Sequence, residues 1–239
     1  MVMEISLKRF CLVFLVLPMI SFKLNGLIDK KTLIEHVKKS ISTAENGMSQ
    51  LPPEILAIDG MSSSKVRHFL NNVCSLPQAS YLEIGVWKGS TFISALYGNK
   101  QMKNAIAIDN WSEFGDPAEQ FMGNTKKWLS NSSFMFYDQD CFKINKKTIF
   151  NNKVNIYFYD GNHARESQKL AFTYFNDIFE DTFIAIVDDW NWPQVAAGTD
   201  DAFKNLKYKI LFEAKLFSAG DADRQNWWNG LYVAVISKQ

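Results

Sequence analysis

The feature that most constrains this fold is an alternation of short apolar strands with helices, which begins at Ser80 and continues to about residue 206. The strands predicted from this pattern span residues 80–84, 105–108, 134–137, 154–159 and 183–187. The helices predicted between or after them span 90–97, 117–129, 164–179 and 193–206. Short apolar strands separated by helices favour a parallel sheet that is covered on both faces.

The two ends of the chain depart from this alternation. Two strands, 208–217 and 231–236, follow one another with no helix between them, which predicts an antiparallel hairpin. An amphipathic helix is expected over 27–46, and Ser62-Ser63-Ser64 is expected to cap a second helix that ends before Pro77. We therefore divide the chain as follows: an apolar N-terminal segment (1–26), N-terminal helices (27–76) and one α/β domain (77–239).

Composition excludes several classes of partner. The 239 residues include 26 basic and 25 acidic side chains, so the net charge of +1 provides neither a footprint for nucleic acid nor a general attraction to anionic lipid. The three cysteines, Cys11, Cys74 and Cys141, are widely separated. This spacing argues against a disulfide framework or a thiolate zinc site and suits a reducing compartment.

The N-terminal segment has two interpretations. Lys8 and Arg9 precede an apolar run over 10–22, which resembles a signal peptide or a short anchor but is too short for an ordinary transmembrane helix. The alternative is a helix that packs on the domain. The dispersed cysteines favour a cytoplasmic protein, and contact with a membrane is expected only if 10–22 acts as an anchor.

A glycine-containing turn follows the first predicted strand, in the stretch Glu83-Ile-Gly85-Val-Trp-Lys-Gly89-Ser90. Gly85 allows a sharp turn off the strand, while Gly89 and Ser90 open a helix whose backbone N–H groups face a ligand. The spacing ExGxxxGxS differs from the GxGxxG that seats a pyrophosphate, so it fits a ligand without phosphates better. By itself the motif is also compatible with an ordinary strand-to-helix turn.

Acidic side chains end three of the other predicted strands. Asp109 is placed to accept hydrogen bonds from a ribose diol, although a solvated loop acid is the alternative. Asp160 begins the stretch Asp-Gly-Asn-His that ends at His163, and Asp188-Asp189 follow the next strand. Carboxylates grouped at one edge of a sheet suit Mg²⁺, Mn²⁺ or Ca²⁺ rather than zinc. Helix capping is the competing explanation for each residue singly, and their common placement favours a site.

These motifs together resemble class I S-adenosylmethionine-dependent methyltransferases, in the group that includes macrocin-type sugar O-methyltransferases. The motifs are Tyr81 to Thr91 (YLEIGVWKGST), the DGxH from Asp160 to His163, and Asp188-Asp189-Trp190. The resemblance covers about Gly60 to the C-terminus. It implies a Rossmann-like α/β methyltransferase fold whose seven-stranded, mostly parallel sheet ends in an antiparallel C-terminal hairpin.

The resemblance also implies particular site residues. S-adenosylmethionine would bind at Glu83, Gly85, Gly89, Ser90, Asp109, Asp140 and Asp160, with Asp138 as the alternative to Asp140. Mg²⁺ or another divalent cation would bind at Asp160, Asp188 and Asp189. His163 would act as general base, with Asp160 beside it in the catalytic group.

One position departs from the group. Arg165 stands where an aromatic residue usually follows the DGxH motif, which puts the substrate pocket in question more than the metal site. Four tryptophans could stack on a sugar or an aromatic ring, although core or loop packing is an equal explanation for each. They are Trp190, Trp192, Trp227 and Trp228.

The function expected is transfer of a methyl group to a hydroxyl of a small molecule or sugar, assisted by a divalent metal, in a chain that could form a homo-oligomer. Three alternatives stay open. The first is an NAD-dependent oxidoreductase, which the missing GxGxxG disfavours. The second is a metal-dependent hydroxylase, for which a two-His-one-carboxylate set would be needed. The third is a catalytically silent methyltransferase fold that serves as a binding protein.

Overall fold

The computed structural model describes residues 28–239. The helices are α1 (Lys30–Glu45), α2 (Pro53–Leu56), α3 (Ser64–Val73), α4 (Ser90–Leu96), α5 (Ala118–Trp128), α6 (Lys146–Ile149), α7 (Arg165–Thr173) and α8 (Pro193–Asn205). The strands are β1 (Ser80–Ile84), β2 (Asn104–Asp109), β3 (Met135–Asp138), β4 (Val154–Tyr159), β5 (Phe179–Val187), β6 (Lys209–Leu216) and β7 (Leu231–Ser237). A 3₁₀ turn over Asn176–Ile178 precedes β5.

The seven strands form one sheet in the order β3-β2-β1-β4-β5-β7-β6. The first five strands pair in parallel, whereas β7 is antiparallel to both β5 and β6. The last strand of the chain therefore lies inside the sheet, between β5 and the edge strand β6. This arrangement confirms the expected Rossmann-like methyltransferase fold, with its mostly parallel sheet and antiparallel C-terminal hairpin.

Alternate residues of the central strands pack into two different cores, because successive side chains of a strand point to opposite faces of the sheet. On β4, Ile156 and Phe158 join the core under α1–α5, while Tyr157 and Tyr159 join the core under α6–α8. All four side chains are almost completely buried. Burial on both faces explains why the strand reads as a continuous apolar run in the sequence.

The N-terminal helices share the first of these cores. Asp29 caps α1 by accepting hydrogen bonds from the backbone N–H groups of Lys31 and Thr32. Leu33 and Val37 then pack in the same apolar cluster as the strands. The apolar run over 10–22 lies outside the described residues. Within 28–239, no helix combines the length and the apolar character that crossing a bilayer requires.

The helix predicted over 164–179 is wrong in its extent, since α7 ends at Thr173 and β5 already begins at Phe179. Phe179 pairs with Val154 across the sheet and stacks on Phe183 at 4.6 Å between ring centroids. Burial of these aromatic rings in the sheet outweighs the helical periodicity of the segment. The short helices α2 and α6 have no counterpart in the predicted elements.

Candidate active site

A cavity of about 460 Å³ lies at the carboxyl ends of β1, β2 and β4, where ligands bind in open α/β sheets. Most of the residues predicted to form the site line this cavity: Gly85, Ser90, Asp109, Asp140, Asp160, His163 and Asp189. Glu83, Gly89 and Asp188 are not among the lining residues. The structure therefore brings most, but not all, of the predicted site together.

The turn after β1 needs glycine at two positions, because other parts of the chain approach its backbone closely there. Gly85 has φ +84°, and a Cβ there would lie 2.0 Å from the backbone oxygen of Asp160. Gly89 has φ +85°, and its Cβ would lie 2.9 Å from the ring of Phe121. From the sequence, these glycines were predicted to form a turn that faces a ligand. The structure adds that Gly85 lets the loops after β1 and β4 pack against each other.

Glu83 is fully buried in β1, and its carboxyl group faces the protein interior. Tyr81 donates a 2.5 Å hydrogen bond to its Oε2 and Thr91 donates one of 2.5 Å to its Oε1. Burial raises the pKa of Glu83 to about 8. Because both oxygens accept hydrogen bonds from protein hydroxyls, Glu83 acts on the site by holding Thr91, which lines the cavity, at the start of α4.

Asp109 lines the cavity and holds two loops at its edge. Its Oδ2 accepts hydrogen bonds from the backbone N–H groups of Val86 and Trp87, at 2.8 and 2.9 Å. Its Oδ1 accepts from the N–H of Trp111 at 2.8 Å. The turn after β1 is therefore tied to the loop after β2. Each carboxylate oxygen has two lone pairs, so Oδ1 keeps one for a further donor.

The two acids considered for the third strand occupy different positions. Asp138 is the exposed last residue of β3 and does not line the cavity, whereas Asp140 does. Asp140 accepts a 3.0 Å hydrogen bond from the N–H of Phe142 and pairs with Lys143 at 3.0 Å. These donors hold the pKa of Asp140 below its ordinary value. The preference for Asp140 over Asp138 agrees with this placement.

Asp160, His163 and Asp189 form the cluster at the end of β4 and β5. One ligand atom from each lies within 4.8 Å of the other two. The Nε2 atom of His163 lies 2.7 Å from Oδ2 of Asp189, whose side chain is only 5% exposed. The cluster contains one imidazole and two carboxylates, which differs from the two-His-one-carboxylate set of non-haem iron oxygenases.

Asp188 lies outside this three-residue cluster, although the sequence placed it with Asp160 and Asp189 as a metal ligand. It is 3% exposed, and its Oδ1 atom finds no hydrogen-bond partner among residues 28–239. Removal from water and the charge of Asp189 raise the pKa of Asp188 well above its ordinary value. Removal from water and the neighbouring Asp188 and Asp189 charges do the same for Asp160. The three acids therefore repel one another.

The four tryptophans considered as stacking partners occupy two kinds of position, two in the core and two at the cavity. Trp190 stacks on Tyr232 at 4.2 Å inside the core, and Trp227 packs edge-on to Phe69. Trp192 and Trp228 line the cavity. Trp192 meets the ring of His163 edge-on, with 4.8 Å between centroids. It is therefore the tryptophan placed beside the acid–imidazole cluster.

Arg165 does not enter the cavity. Its guanidinium bonds to Asp201 on α8, at 2.8 Å from Nε and 2.7 Å from Nη2. Arg165 therefore joins α7 to α8 and takes no part in the cavity lining.

The polar lining residues that the sequence analysis missed include Asn229 and Glu113. Asn229 donates a 2.6 Å hydrogen bond to Asp189, and Glu113 accepts one of 2.9 Å from Asn162. Neither residue belongs to a recognisable motif. Both lie in connecting loops far along the chain from their partners, so the sequence contained no local signal for them.

A comparison with known families gives a match over residues 82–190 to the family described as a methyltransferase domain. The matched segment begins in β1, ends just after β5 and includes the glycine turn and all four of the acids Asp109, Asp160, Asp188 and Asp189. Residues 82–190 are therefore similar to that family. The segment is less than half of the chain, and no curated protein matches the sequence.

Solved structures show that the likeness in fold extends over most of the chain. An O-methyltransferase from Bacillus cereus in complex with SAH has a TM-score of 0.56 at 14% identity, covering 89% of this chain and 94% of that one. A cofactor-bound protein from MTB has a TM-score of 0.57 at 14% identity, covering 91% and 94%. The SAH-bound methyltransferase PaMTH1 of Podospora anserina has a TM-score of 0.53 at 13% identity, covering 89% of each chain.

Proposed function

We propose that this protein transfers a methyl group from S-adenosylmethionine to a hydroxyl of a small molecule or sugar. The observation that carries the proposal is that one cavity, lined mostly by residues of the segment that matches the methyltransferase family, joins the glycine turn to the acid–imidazole cluster. A methyl donor and a proton acceptor would therefore meet in one enclosed space. Such alignment of reactants supplies a large part of the acceleration in group transfer.

The charges of the cavity fit the methyl donor. Five carboxylates line it, those of Asp109, Glu113, Asp140, Asp160 and Asp189. None of the described residues that line it is a lysine or an arginine. Such a surface favours a cationic sulfonium over a ligand with a pyrophosphate. This supports S-adenosylmethionine over NAD and agrees with the absence of a GxGxxG turn.

Asp109 and Asp140 are the carboxylates best placed to hold the nucleoside part of the donor. Asp109 ends β2 and Asp140 follows β3, and these two strands pair in parallel. Asp109 keeps a lone pair for a ribose hydroxyl. Ile108 and Phe142, each within two residues of one of these acids, also line the cavity and offer apolar surface to a base. These side chains would bind and orient the donor without taking part in proton transfer.

The acid cluster also fits a divalent cation. The repulsion that raises the pKa values of Asp160 and Asp188, together with the unpartnered Oδ1 of Asp188, would be relieved by a positive charge among them. Asp160 and Asp189, the two carboxylates of the three-residue cluster, would hold Mg²⁺, whose hard character matches carboxylate oxygens, and Asp188 would add negative charge behind them. When bound, the cation would lower the pKa of a substrate hydroxyl.

His163 is the residue we propose as general base. Its Nε2 faces Asp189 at 2.7 Å, so a neutral ring with its hydrogen on Nε2 accepts a proton at Nδ1. The Asp189 carboxylate orients the ring and stabilises the imidazolium that forms. The edge-on contact with Trp192 limits rotation of the imidazole on its other side.

Calorimetry with S-adenosylmethionine and with SAH, in the presence and absence of Mg²⁺, tests the proposal. Asp140→Asn and Asp138→Asn form a matched pair, since both residues follow or end β3 but only Asp140 lines the cavity. We expect Asp140→Asn to weaken SAH binding about tenfold, the loss of roughly one charge-assisted hydrogen bond, and Asp138→Asn to leave it unchanged.

Failure of the wild-type protein to bind either nucleoside would exclude the proposed activity. Equal losses of SAH affinity in Asp140→Asn and Asp138→Asn would show that these acids affect binding through the overall charge of the protein rather than through contact with the ligand. Methyl transfer that persists after complete chelation would remove the cation from the proposal and leave the His163–Asp189 pair as the proton-accepting unit.

A further inference from the structure

We infer that Asn229 is a positioning residue that fixes the carboxylate of Asp189 and couples it to the loop between β6 and β7. The inference rests on the proposed function, since it assigns Asn229 a task at the same site. Asn229 lies 40 residues beyond Asp189 and outside the segment that matches the methyltransferase family.

The side-chain amide of Asn229 is held in one orientation by the main chain. Its Oδ1 accepts a 2.5 Å hydrogen bond from the backbone N–H of Ala222. A backbone N–H can only donate, so the oxygen of the amide must face Ala222 and the NH₂ group must face the other way. That NH₂ group donates to Oδ1 of Asp189 at 2.6 Å. Asn229 is 7% exposed, which keeps water from replacing either bond.

The bond from Asn229 determines how Asp189 meets the site. With Oδ1 occupied by the amide, the Oδ2 atom is the oxygen directed to His163, at 2.7 Å. Because the amide of Asn229 is a neutral donor bonded to Oδ1, it can hold the Asp189 carboxylate in one orientation while the partner of Oδ2 changes. Asn229 thus orients Asp189 for contact with the imidazole or with a cation.

The backbone around Asp189 is held by the same segment. Asp189 has φ +57°, in the left-handed region that non-glycine residues rarely occupy. Such a conformation persists where the surroundings hold it in place. Here Trp190 donates its N–H to the carbonyl of Gly230 at 3.1 Å, and Asn191 donates to that of Asn229 at 2.8 Å.

The loop over 217–230, which we call the β6–β7 loop, contacts the site a second time. Asp221 accepts a 3.0 Å hydrogen bond from the indole N–H of Trp192, the tryptophan that meets His163 edge-on. The β6–β7 loop therefore holds two groups that contact His163: Asp189, through Asn229, and Trp192, through Asp221. A displacement of the loop would move both groups.

The experiment compares Asn229→Ala with a matched control, a variant of another asparagine whose side chain bonds to the β6–β7 loop. Asn191 also clamps the β6–β7 loop, donating to the carbonyl of Ser218 at 3.0 Å and accepting from its N–H at 3.3 Å, and its side chain makes no hydrogen bond to Asp189. Asn191→Ala thus removes an amide clamp of the loop but retains the donor to Asp189. Mn²⁺ affinity, SAH affinity and the melting temperature are measured for both variants and the wild type.

We expect Asn229→Ala to weaken Mn²⁺ binding by roughly 10- to 100-fold, the range found for groups that orient metal-binding side chains, with SAH affinity within about twofold of wild type. Asn191→Ala should lower the melting temperature and leave Mn²⁺ affinity within about twofold. Unchanged Mn²⁺ affinity in Asn229→Ala overturns the inference. Equal losses in both variants also overturn it, because they would assign the effect to order in the loop.

A second readout separates failure of this inference from failure of the metal proposal. If the wild-type protein binds SAH but no Mn²⁺, ¹⁵N spectra of labelled histidine report whether the hydrogen of His163 lies on Nε2, facing Asp189. We expect that signal in the wild type and in Asn191→Ala, and its loss or broadening in Asn229→Ala. Identical His163 signals in all three proteins would overturn the positioning role.

Discussion

Substitution of Glu83 by glutamine should remove a pH-dependent loss of stability. Glu83 is a fully buried acid whose pKa is raised from 4.5 to about 8, chiefly by removal from water. Between these two values the folded protein retains the proton and the unfolded chain releases it. Folding stability therefore falls as pH rises from about 4.5 to about 8.

The size of the effect follows from the pKa difference. At about 1.4 kcal/mol per pKa unit, the shift corresponds to on the order of 5 kcal/mol across that pH range, as an upper limit. Glutamine keeps the shape of the side chain but has no proton to lose. Because hydroxyls can donate or accept, Tyr81 and Thr91 can pair with an amide as they do with the acid.

Urea unfolding followed by tryptophan fluorescence, at intervals from pH 5 to pH 9, measures the effect. We expect Glu83→Gln to match the wild type near pH 5 and to exceed its unfolding free energy by several kcal/mol near pH 9. The charge of Glu83 also raises the pKa values of Asp160 and Asp188, so the difference reports Glu83 together with its repulsion of these two acids. Glu45→Gln, at an exposed position, is the control and should stay within about 0.5 kcal/mol of the wild type throughout.

Parallel stability profiles for Glu83→Gln and the wild type would refute the reasoning, since they would mean that burial does not retain the proton. The same variant tests the sequence-based prediction that Glu83 binds the cofactor. Because its oxygens face Tyr81 and Thr91, SAH affinity should change by less than about twofold. A large loss would instead support a direct contact between Glu83 and the cofactor.

Two further predictions concern the turn and the base. Gly85→Ala should disturb the loop at Asp160, because the new Cβ would lie 2.0 Å from the backbone oxygen of Asp160 and residue 85 has φ +84°. We expect a lower melting temperature and loss of SAH binding. A normal melting temperature would contradict this prediction. His163→Ala should slow methyl transfer by roughly 10²- to 10⁴-fold with SAH affinity unchanged in calorimetry, and full activity would remove the base assignment.

The sequence was sufficient to predict the order and type of most elements and the edge of the sheet that carries the site. β1 and β4 were predicted to the residue, because strands buried on both faces leave a continuous apolar run bounded by turn residues. Asp109 and Asp160 could be placed at the cavity because the carboxyl ends of parallel strands share one edge, whereas Asp140 was predicted from the family resemblance.

The helical pattern after Ala164 illustrates where that reasoning stops. Its apolar residues continue past Thr173, yet α7 ends there and Phe179 starts a strand. A local pattern cannot report that the ring of Phe179 will lie 4.8 Å from that of Tyr157, on a strand more than twenty residues away. Tertiary packing decides between helix and strand when both satisfy the local sequence.

The detailed arrangement of the site was also decided by the tertiary structure. Which oxygens of Glu83 and Asp109 are already occupied, and which acids meet His163, depends on contacts across the sheet edge. The role of Asn229 has the clearest physical origin. Because β7 inserts antiparallel beside β5, pairing Val187 with Tyr232, the residues that precede β7 meet the residues that follow β5. A strand order of that kind brings together residues forty positions apart. The spacing of residues along the chain does not predict such a contact.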